Sequence, residues 1–308
     1  MWDIFLKTLP FFAIIGLGYG SGRIGFFTEE ATAYLTKFVF YFALPAMLFR
    51  FSATLEIGDV FDWPFVSAYF SATFVVYLIA TAIAHYRGSD LGEAAVEAQC
   101  SVIGNVGFLG IPMLALLMGQ AAVGPMILVL AVDLIVFSSL IVILITISKQ
   151  GKLDPAVFLK VASGLLKNPM IVAISLGFVW SALSLPVARP ADEFLTILGA
   201  AATPGALFAI GASLATKTAE RVSIAAWISF AKLVLHPAAV AVTAFFVFPV
   251  EPFAAGVMIA AAALPVAGNV YILAEHYNVA PQRASASILL STAASVVTVA
   301  AVITWIGI

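Results

Sequence analysis

Long apolar stretches, separated by short polar or charged breaks, occupy almost the whole chain. About 20 apolar residues are enough to carry a helix across a bilayer. The sustained alternation of apolar and polar positions that a membrane barrel needs does not occur in the sequence. The pattern therefore predicts an all-α polytopic membrane protein with ten transmembrane helices, which we number as spans 1 to 10. The predicted spans are residues 4–20, 32–52, 64–86, 93–118, 122–147, 168–186, 193–215, 222–248, 252–277 and 284–307.

The composition of the 308 residues supports the same class of protein. Apolar residues make up 63% of the chain and charged residues 10%, whereas about 25% of a soluble domain is charged. So few polar side chains cannot cover a water-exposed surface, which excludes a soluble enzyme and a disordered chain. A net charge of −2 gives no indication of nucleic-acid binding. No small-residue cleavage site follows the first apolar run, so we expect a retained span and not a signal peptide.

The lysines and arginines between the spans predict how the chain is oriented. Cytoplasmic loops of membrane proteins carry an excess of these residues. Nine lie in the loops after spans 1, 3, 5, 7 and 9, and three lie on the opposite side. We therefore expect those odd-numbered loops in the cytoplasm and both termini outside a cytoplasmic (inner) membrane. The nine are Arg23, Arg87, Lys149, Lys152, Lys160, Lys167, Lys217, Arg221 and Arg283; the three are Lys7, Arg50 and Arg189.

Two short motifs occur once in each half of the chain and in the same order. Residues 43–49 and 202–208 both fit A-x-P-x-x-L-F, with Pro45 and Pro204 at the same position. Gly-Asn-Val then recurs at 104–106 and 268–270. Five spans in each half would give the halves opposite orientations, which is the inverted-repeat architecture of many secondary transporters. The predicted domains are a first repeat at 1–147, a cytoplasmic linker at 148–167 and a second repeat at 168–308.

Spans 4 and 9 carry residues that interrupt a helix. Span 4 contains three glycines, an asparagine and a proline within residues 104–112, and span 9 contains a similar group within 265–269. Proline and glycine destabilise a helix interior, and in lipid the freed backbone groups must find partners in protein or in a water-filled cavity. Matching breaks in two halves are typical of a transport site. The alternative is a pair of kinks that only shape helix packing, with each asparagine capping a broken end.

The chemistry of such breaks suits a carboxylate ligand. A half-helix that begins within the membrane presents free N–H groups and its positive dipole end, and asparagine adds a donor and an acceptor. The freed carbonyl groups would suit a small cation. The candidate substrate-binding residues are Gly104, Asn105, Gly268, Asn269 and Tyr271. The residues expected to maintain the breaks or shape the facing helices are Pro45, Gly107, Gly110, Pro112, Pro204 and Pro265.

Two charged residues lie well inside predicted spans. Asp133, near the middle of span 5, is a candidate proton carrier or a cap for the amides of a broken span. Lys232, in span 8, could neutralise a substrate carboxylate or pair with Asp133, and the alternative is a side chain that snorkels towards an interface. His236 more often marks a satisfied polar kink than a proton relay. Glu93 and Glu97 are expected at a solvated helix start, so they carry no functional prediction.

The broken spans resemble the signatures of a known family. Residues 105–112, Asn-Val-Gly-Phe-Leu-Gly-Ile-Pro, resemble the N-x-G-F-[LI]-G-[IL]-P signature of the auxin efflux carrier family, within the bile acid/auxin transporter superfamily. Residues 264–274 resemble its second signature, and Leu44-Pro45 also fits. The chain lacks the long central loop of the plant carriers, so it is more similar to the bacterial members, which look like malonate or malate permeases.

The resemblance implies a fold and a mechanism. Spans 4 and 9 would cross at their breaks with the substrate bound nearby. Spans 1, 2, 6 and 7 would form a scaffold, and spans 3–5 and 8–10 a moving transport unit. The family also suggests a homodimer formed through the scaffold.

We therefore expect a secondary transporter of small organic anions that works by alternating access. The alternatives are a sodium-coupled symporter of the bile-acid type and a membrane sensor that binds a ligand without moving it. No acidic cluster lies near the breaks in the sequence, which counts against sodium. Because H-E-x-x-H, Walker A and C-x-x-C motifs are absent, we expect no enzyme activity, no catalytic residues, no metal site and no cofactor. Coupling to H⁺ or Na⁺ stays open.

Overall fold

The computed structural model describes residues 2–55, 61–152, 155–215 and 222–307. Within these ranges the chain is helical, and the only strand-like pairing is one isolated antiparallel bridge between Gly104 and Val266. The helical segments are α1 (Trp2–Arg23), α2 (Glu29–Ala53), α3 (Trp63–Tyr86), α4 (Leu91–Val102), α5 (Val106–Met118), α6 (Gln120–Gln150), α7 (Ala156–Lys167), α8 (Pro169–Ala182), α9 (Arg189–Ala215), α10 (Val222–Val247), α11 (Pro252–Ala262), α12 (Gly268–His276) and α13 (Pro281–Ile306).

Seven of the described helices are long and apolar enough to cross a membrane. They are α1, α2, α3, α6, α9, α10 and α13, and they coincide with predicted spans 1, 2, 3, 5, 7, 8 and 10. Counting the pair α7 and α8, bent by 65° at Asn168, as one span gives eight. Predicted spans 4 and 9 are each divided into two shorter helices, α4 with α5 and α11 with α12. Lys217 and Arg221, used to predict orientation, lie outside the described residues.

Two helix pairs pack unusually closely, and glycine permits both contacts. A Cβ atom added to Gly18 of α1 would lie 2.2 Å from the carbonyl oxygen of Phe208 in α9. A Cβ atom added to Gly177 of α8 would lie 2.8 Å from the carbonyl oxygen of Phe49 in α2. Small residues allow helix backbones to approach in this way in membranes. Gly177 follows Gly18 by the same number of residues as Phe208 follows Phe49. The two contacts therefore join equivalent positions of the two predicted repeats.

Several long helices contain one wider, π-helical turn. Such turns replace a run of ordinary helix hydrogen bonds and occur often at functional sites. Asp133 begins the π turn Asp133–Phe137 within α6, and Lys232 lies in the π turn Ala231–Leu235 within α10. A third, Val106–Gly110, starts α5 directly after the first break. Both charged residues predicted inside spans therefore stand where the helix is locally irregular.

Candidate functional site

The two chain breaks lie side by side and bind each other through their backbones. The N–H of Asn105 donates to the carbonyl oxygen of Pro265 at 2.8 Å, and the N–H of Ala267 donates to Ile103 at 3.0 Å. Gly104 and Val266 face each other between these bonds in an antiparallel arrangement. Each break thus provides hydrogen-bond partners for the backbone N–H and C=O groups that lose their helical partners at the other break. Such groups must be paired when they are buried within a membrane protein.

Local sequence explains why the helices stop here. Pro265 has no N–H to continue α11, which ends at Ala262. The N–H of the next residue, Val266, instead donates to the hydroxyl of Ser291 in α13 at 3.1 Å. At the other break, a Cβ atom on Gly104 would lie 3.2 Å from the carbonyl oxygen of Ala261, which is tight. A glycine there lets the two backbones come together.

A cavity of about 20 Å³ lies between the breaks, which is about the space that one water molecule occupies. Residues of both breaks line it, together with Asp133 of α6 and Met170 of α8. Asn105 is 4% exposed and Asp133 is 2% exposed. Three side-chain oxygens at this cavity are buried and have no hydrogen-bond partner: Asn105 Oδ1, Asn269 Oδ1 and Asp133 Oδ2. The cavity wall is therefore rich in acceptors.

The structure brings four of the five candidate substrate-binding residues together. Gly104, Asn105, Gly268 and Asn269 all line the cavity. Tyr271 is not among the lining residues, and its hydroxyl donates to Glu275 one turn further along α12 at 3.1 Å. Of the structural candidates, Gly107 lines the cavity and Pro265 supplies a carbonyl oxygen between the breaks; Pro45, Gly110, Pro112 and Pro204 lie outside the lining.

Asp133 reaches the cavity from α6, a helix that belongs to neither broken span. Its Oδ1 accepts a hydrogen bond from the hydroxyl of Tyr69 in α3 at 2.8 Å. The carboxylate is therefore held by a phenol and not by a released amide, so the expectation that it caps a broken span is wrong. Its second oxygen, without a partner, remains at the cavity. This gives the site a carboxylate that no sequence spacing placed there.

Lys232 is fully buried, so the expectation that it snorkels towards an interface is wrong. Its ammonium donates to the carbonyl oxygen of Ala262, at the end of α11, and lies 3.2 Å from His236 Nδ1. His236 Nε2 lies 3.0 Å from the hydroxyl of Thr73 in α3. When Lys232 is charged it donates to Nδ1, which places the histidine proton on Nε2, facing Thr73. Lys232 thus stands beside both breaks, close to Gly104 and Ala262.

A largely buried ionic cluster joins the loop between α3 and α4 to α4 and α13. Glu97 is 1% exposed; it lies 2.6 Å from Arg283 and also pairs with Arg87. Arg283 makes a second ion pair with Glu93 at 3.0 Å and a hydrogen bond with Ser89 at 3.0 Å. The expectation of a solvated helix start at Glu97 is therefore wrong. Sequence reasoning missed this cluster because Arg283 lies far along the chain from Glu97.

Comparison with known proteins identifies the class. Residues 3–303 match the model of the membrane transport protein family, which is the auxin efflux carrier family that the two signatures resemble. The protein is an integral, multi-pass membrane protein, and the family description indicates a membrane transporter. The chain belongs to this family.

Two relatives match along nearly their whole length. The chain is 30% identical over 302 residues to a protein of Rhizobium meliloti (strain 1021) named "Putative malonate transporter", covering 97% of this chain and 94% of that protein. It is 27% identical over 304 residues to "Uncharacterized transporter YfdV" of Escherichia coli (strain K12), covering 94% and 93% of the two chains.

Proposed function

We propose that the protein is a secondary transporter of small organic anions, with a short dicarboxylate such as malonate as the first candidate substrate. The observation that carries this proposal is the pairing of the two breaks, which brings Asn105 and Asn269 to one cavity. The name of the Rhizobium meliloti relative supports the choice of substrate class.

The groups around the cavity can recognise a carboxylate. The amides of Asn105 and Asn269 each carry two N–H donors, and a terminal amide can turn to present either its NH₂ or its oxygen. α12 begins at Gly268, so its positive dipole end lies beside the cavity. The buried ammonium of Lys232, on the other side of Gly104, supplies a positive charge.

We propose that the chain forms ten spans as two inverted repeats, 1–147 and 168–308, joined by the linker 148–167. The equivalent contacts of Gly18 with Phe208 and of Gly177 with Phe49 support this repeat. These contacts pair span 1 with span 7 and span 6 with span 2, which supports a scaffold of those four spans. Spans 3–5 and 8–10 then form the moving unit. The family resemblance adds the proposal of a homodimer through the scaffold.

The contacts at the helix ends agree with the proposed orientation. Arg87 and Arg283 share Glu97, and Lys149 donates to the carbonyl oxygen of Tyr277, so positive residues from three odd-numbered loops meet at one end. Arg50 pairs with Asp192 at 2.7 Å, which joins the end of α2 to the start of α9 on the opposite side. The positive-inside rule supports the odd-numbered loops in the cytoplasm and the termini outside, and we propose the inner membrane as the location.

The small cavity implies a conformational step. A space of about 20 Å³ admits one water molecule and not a three-carbon diacid. Substrate can therefore enter only when the transport unit moves relative to the scaffold, as alternating access requires. Asp133 and Lys232 are the proposed coupling residues because they are buried charges at the two breaks.

Binding of substrate can be tested by thermal unfolding of the purified protein. A ligand that binds the folded state raises the apparent stability. We expect malonate or a related short acid to raise the melting temperature of the wild type, and Asn105→Ala or Asn269→Ala to remove that shift. Gln150→Ala, at an exposed position at the end of α6, should keep it. No stabilisation by any acid in a panel of mono-, di- and tricarboxylates would contradict the proposed substrate class.

A further inference from the structure

Three buried oxygen atoms face the cavity between the breaks without a hydrogen-bond donor. They are Asp133 Oδ2, Asn105 Oδ1 and Asn269 Oδ1, and all three residues line that cavity. Buried hydrogen-bond acceptors in folded proteins nearly always have a donor. A buried acceptor without one usually marks the place of an ordered water molecule or an ion. Three unpaired acceptor atoms at one cavity of this size call for one explanation that covers all of them.

The three oxygens come from different elements and have one chemical character. Asp133 belongs to α6, Asn105 to the first break and Asn269 to the first turn of α12. Carboxylate and amide oxygens are hard ligands, which suit alkali and alkaline-earth cations better than transition metals. Among the described residues no three His, Cys, Asp or Glu side chains gather, and the cavity has a single carboxylate. A single carboxylate with two neutral amide oxygens suits a monovalent cation better than a divalent one.

We infer that this cavity binds a monovalent cation of the size of Na⁺, with Asp133, Asn105 and Asn269 as its side-chain ligands. The inference rests on the proposed transport site and names a coupling ion for it. A proton on Asp133 would satisfy Oδ2 and one amide oxygen and leave the other amide oxygen unpaired. A cation between the three oxygens satisfies all of them.

The charges around the site favour paired binding of cation and anion. Lys232 is the other buried charge beside the breaks, and no carboxylate of the described residues lies within 4 Å of its ammonium. The other titratable groups that face Asp133 and Lys232, Tyr69 and His236, are neutral in the hydrogen-bonding arrangement above. Asp133 and Lys232 offset each other, so a bound Na⁺ leaves one net positive charge.

A substrate carboxylate would neutralise that net charge. Each ligand would then raise the affinity for the other, and this reciprocity is what cation–anion symport uses. The sequence counted against sodium because no cluster of acidic ligands lies near the breaks along the chain. The structure answers part of that objection, because α6 brings one carboxylate, Asp133, to the breaks.

The test is thermal unfolding of the full-length protein without substrate, at fixed pH and fixed ionic strength. NaCl is compared with KCl and choline chloride in the wild type and three variants. We expect Na⁺ to raise the melting temperature by about 3 °C at saturation. Asp133→Asn and Asn269→Ala should remove the shift. Asp192→Asn, which changes an exposed carboxylate paired with Arg50, should retain it.

Each outcome decides the inference. Equal melting temperatures in NaCl, KCl and choline chloride mean that the protein has no Na⁺-selective site, and they overturn the inference. If Asp133→Asn does not fold, Asn269→Ala decides, and a retained Na⁺ shift in that variant also overturns it. Malonate is added in two separate arms, one in choline chloride and one in NaCl. Stabilisation by malonate with no effect of Na⁺ overturns this inference and leaves the proposed transport function standing. Stabilisation by Na⁺ with no effect of malonate in either salt leaves the inference standing and contradicts the proposed substrate class.

Discussion

The backbone N–H of Asn105 lies 2.8 Å from the carbonyl oxygen of Pro265, so each half of the chain closes the break of the other half. Neither break can move alone without leaving buried backbone groups unpaired, which costs free energy comparable to a lost hydrogen bond. The two breaks therefore act as one structural unit.

Ser291→Ala removes the acceptor that holds the second break against α13. The N–H of Val266 then loses its partner at 3.1 Å and stays buried, which should lower the free energy of unfolding by about 1–3 kcal/mol. Ser295→Ala is the matched control, because that buried hydroxyl donates only to Thr292 of its own helix. Chemical denaturation of both variants measures the difference. Equal losses of unfolding free energy would show that the hydrogen bond from Val266 contributes no more to stability than the one within the helix.

Gly110→Ala should destabilise the start of α5 through overpacking. The added Cβ atom would lie 2.5 Å from Leu264 Cδ1 and 2.7 Å from Met126 Cε. Both atoms end flexible side chains that can shift, so we expect a cost of about 1 kcal/mol, at the low end for overpacking. Gly107→Ala, in the same π turn, meets its nearest atom at 3.6 Å and should be tolerated. The melting temperatures of the two purified variants test this, and a tolerated Gly110→Ala would contradict the close packing of the two breaks.

The repeated helix contacts predict paired sensitivity in the scaffold. Gly18→Ala and Gly177→Ala both force a Cβ atom against a backbone carbonyl oxygen, so both should lower the melting temperature clearly. Gly16→Ala, on the same helix as Gly18, meets no atom within 4 Å and should leave stability unchanged or slightly raised. Sensitivity at one glycine only would argue against equivalent roles of the two repeats.

Glu97→Gln should be strongly destabilising because it leaves two arginines without their shared buried carboxylate. Removing one partner of a buried ion pair costs about 3–5 kcal/mol. Glu193→Gln breaks the exposed pair with Arg189 and should change stability by a few tenths of a kcal/mol. Denaturant midpoints compare the two variants. A small effect of Glu97→Gln would show that the cluster is hydrated in the membrane.

The sequence predicted the helical class, the seven long spans and both breaks, because apolar length and the Gly, Pro and Asn residues act locally. It offered a place for Asp133 at a broken span as one alternative but could not predict the contact with Tyr69, since that depends on how α6 packs against α3. The expectation that Lys232 snorkels was wrong for the same reason. The position of Lys232 along span 8 does not show that the carbonyl oxygen of Ala262 lies beside its ammonium. Glu97 was misjudged because its partner Arg283 lies almost two hundred residues away.

The most direct test of the account is uptake of radiolabelled malonate by proteoliposomes that contain the purified protein and an inward sodium gradient. We predict that the wild type and Gln150→Ala accumulate label above the rate of protein-free liposomes. Asn105→Ala and Asn269→Ala should reduce that uptake at least about tenfold, the cost of losing about 1.4 kcal/mol of substrate recognition. Malonate that stabilises the wild type yet does not cross the membrane would contradict transport and identify the protein as a ligand sensor.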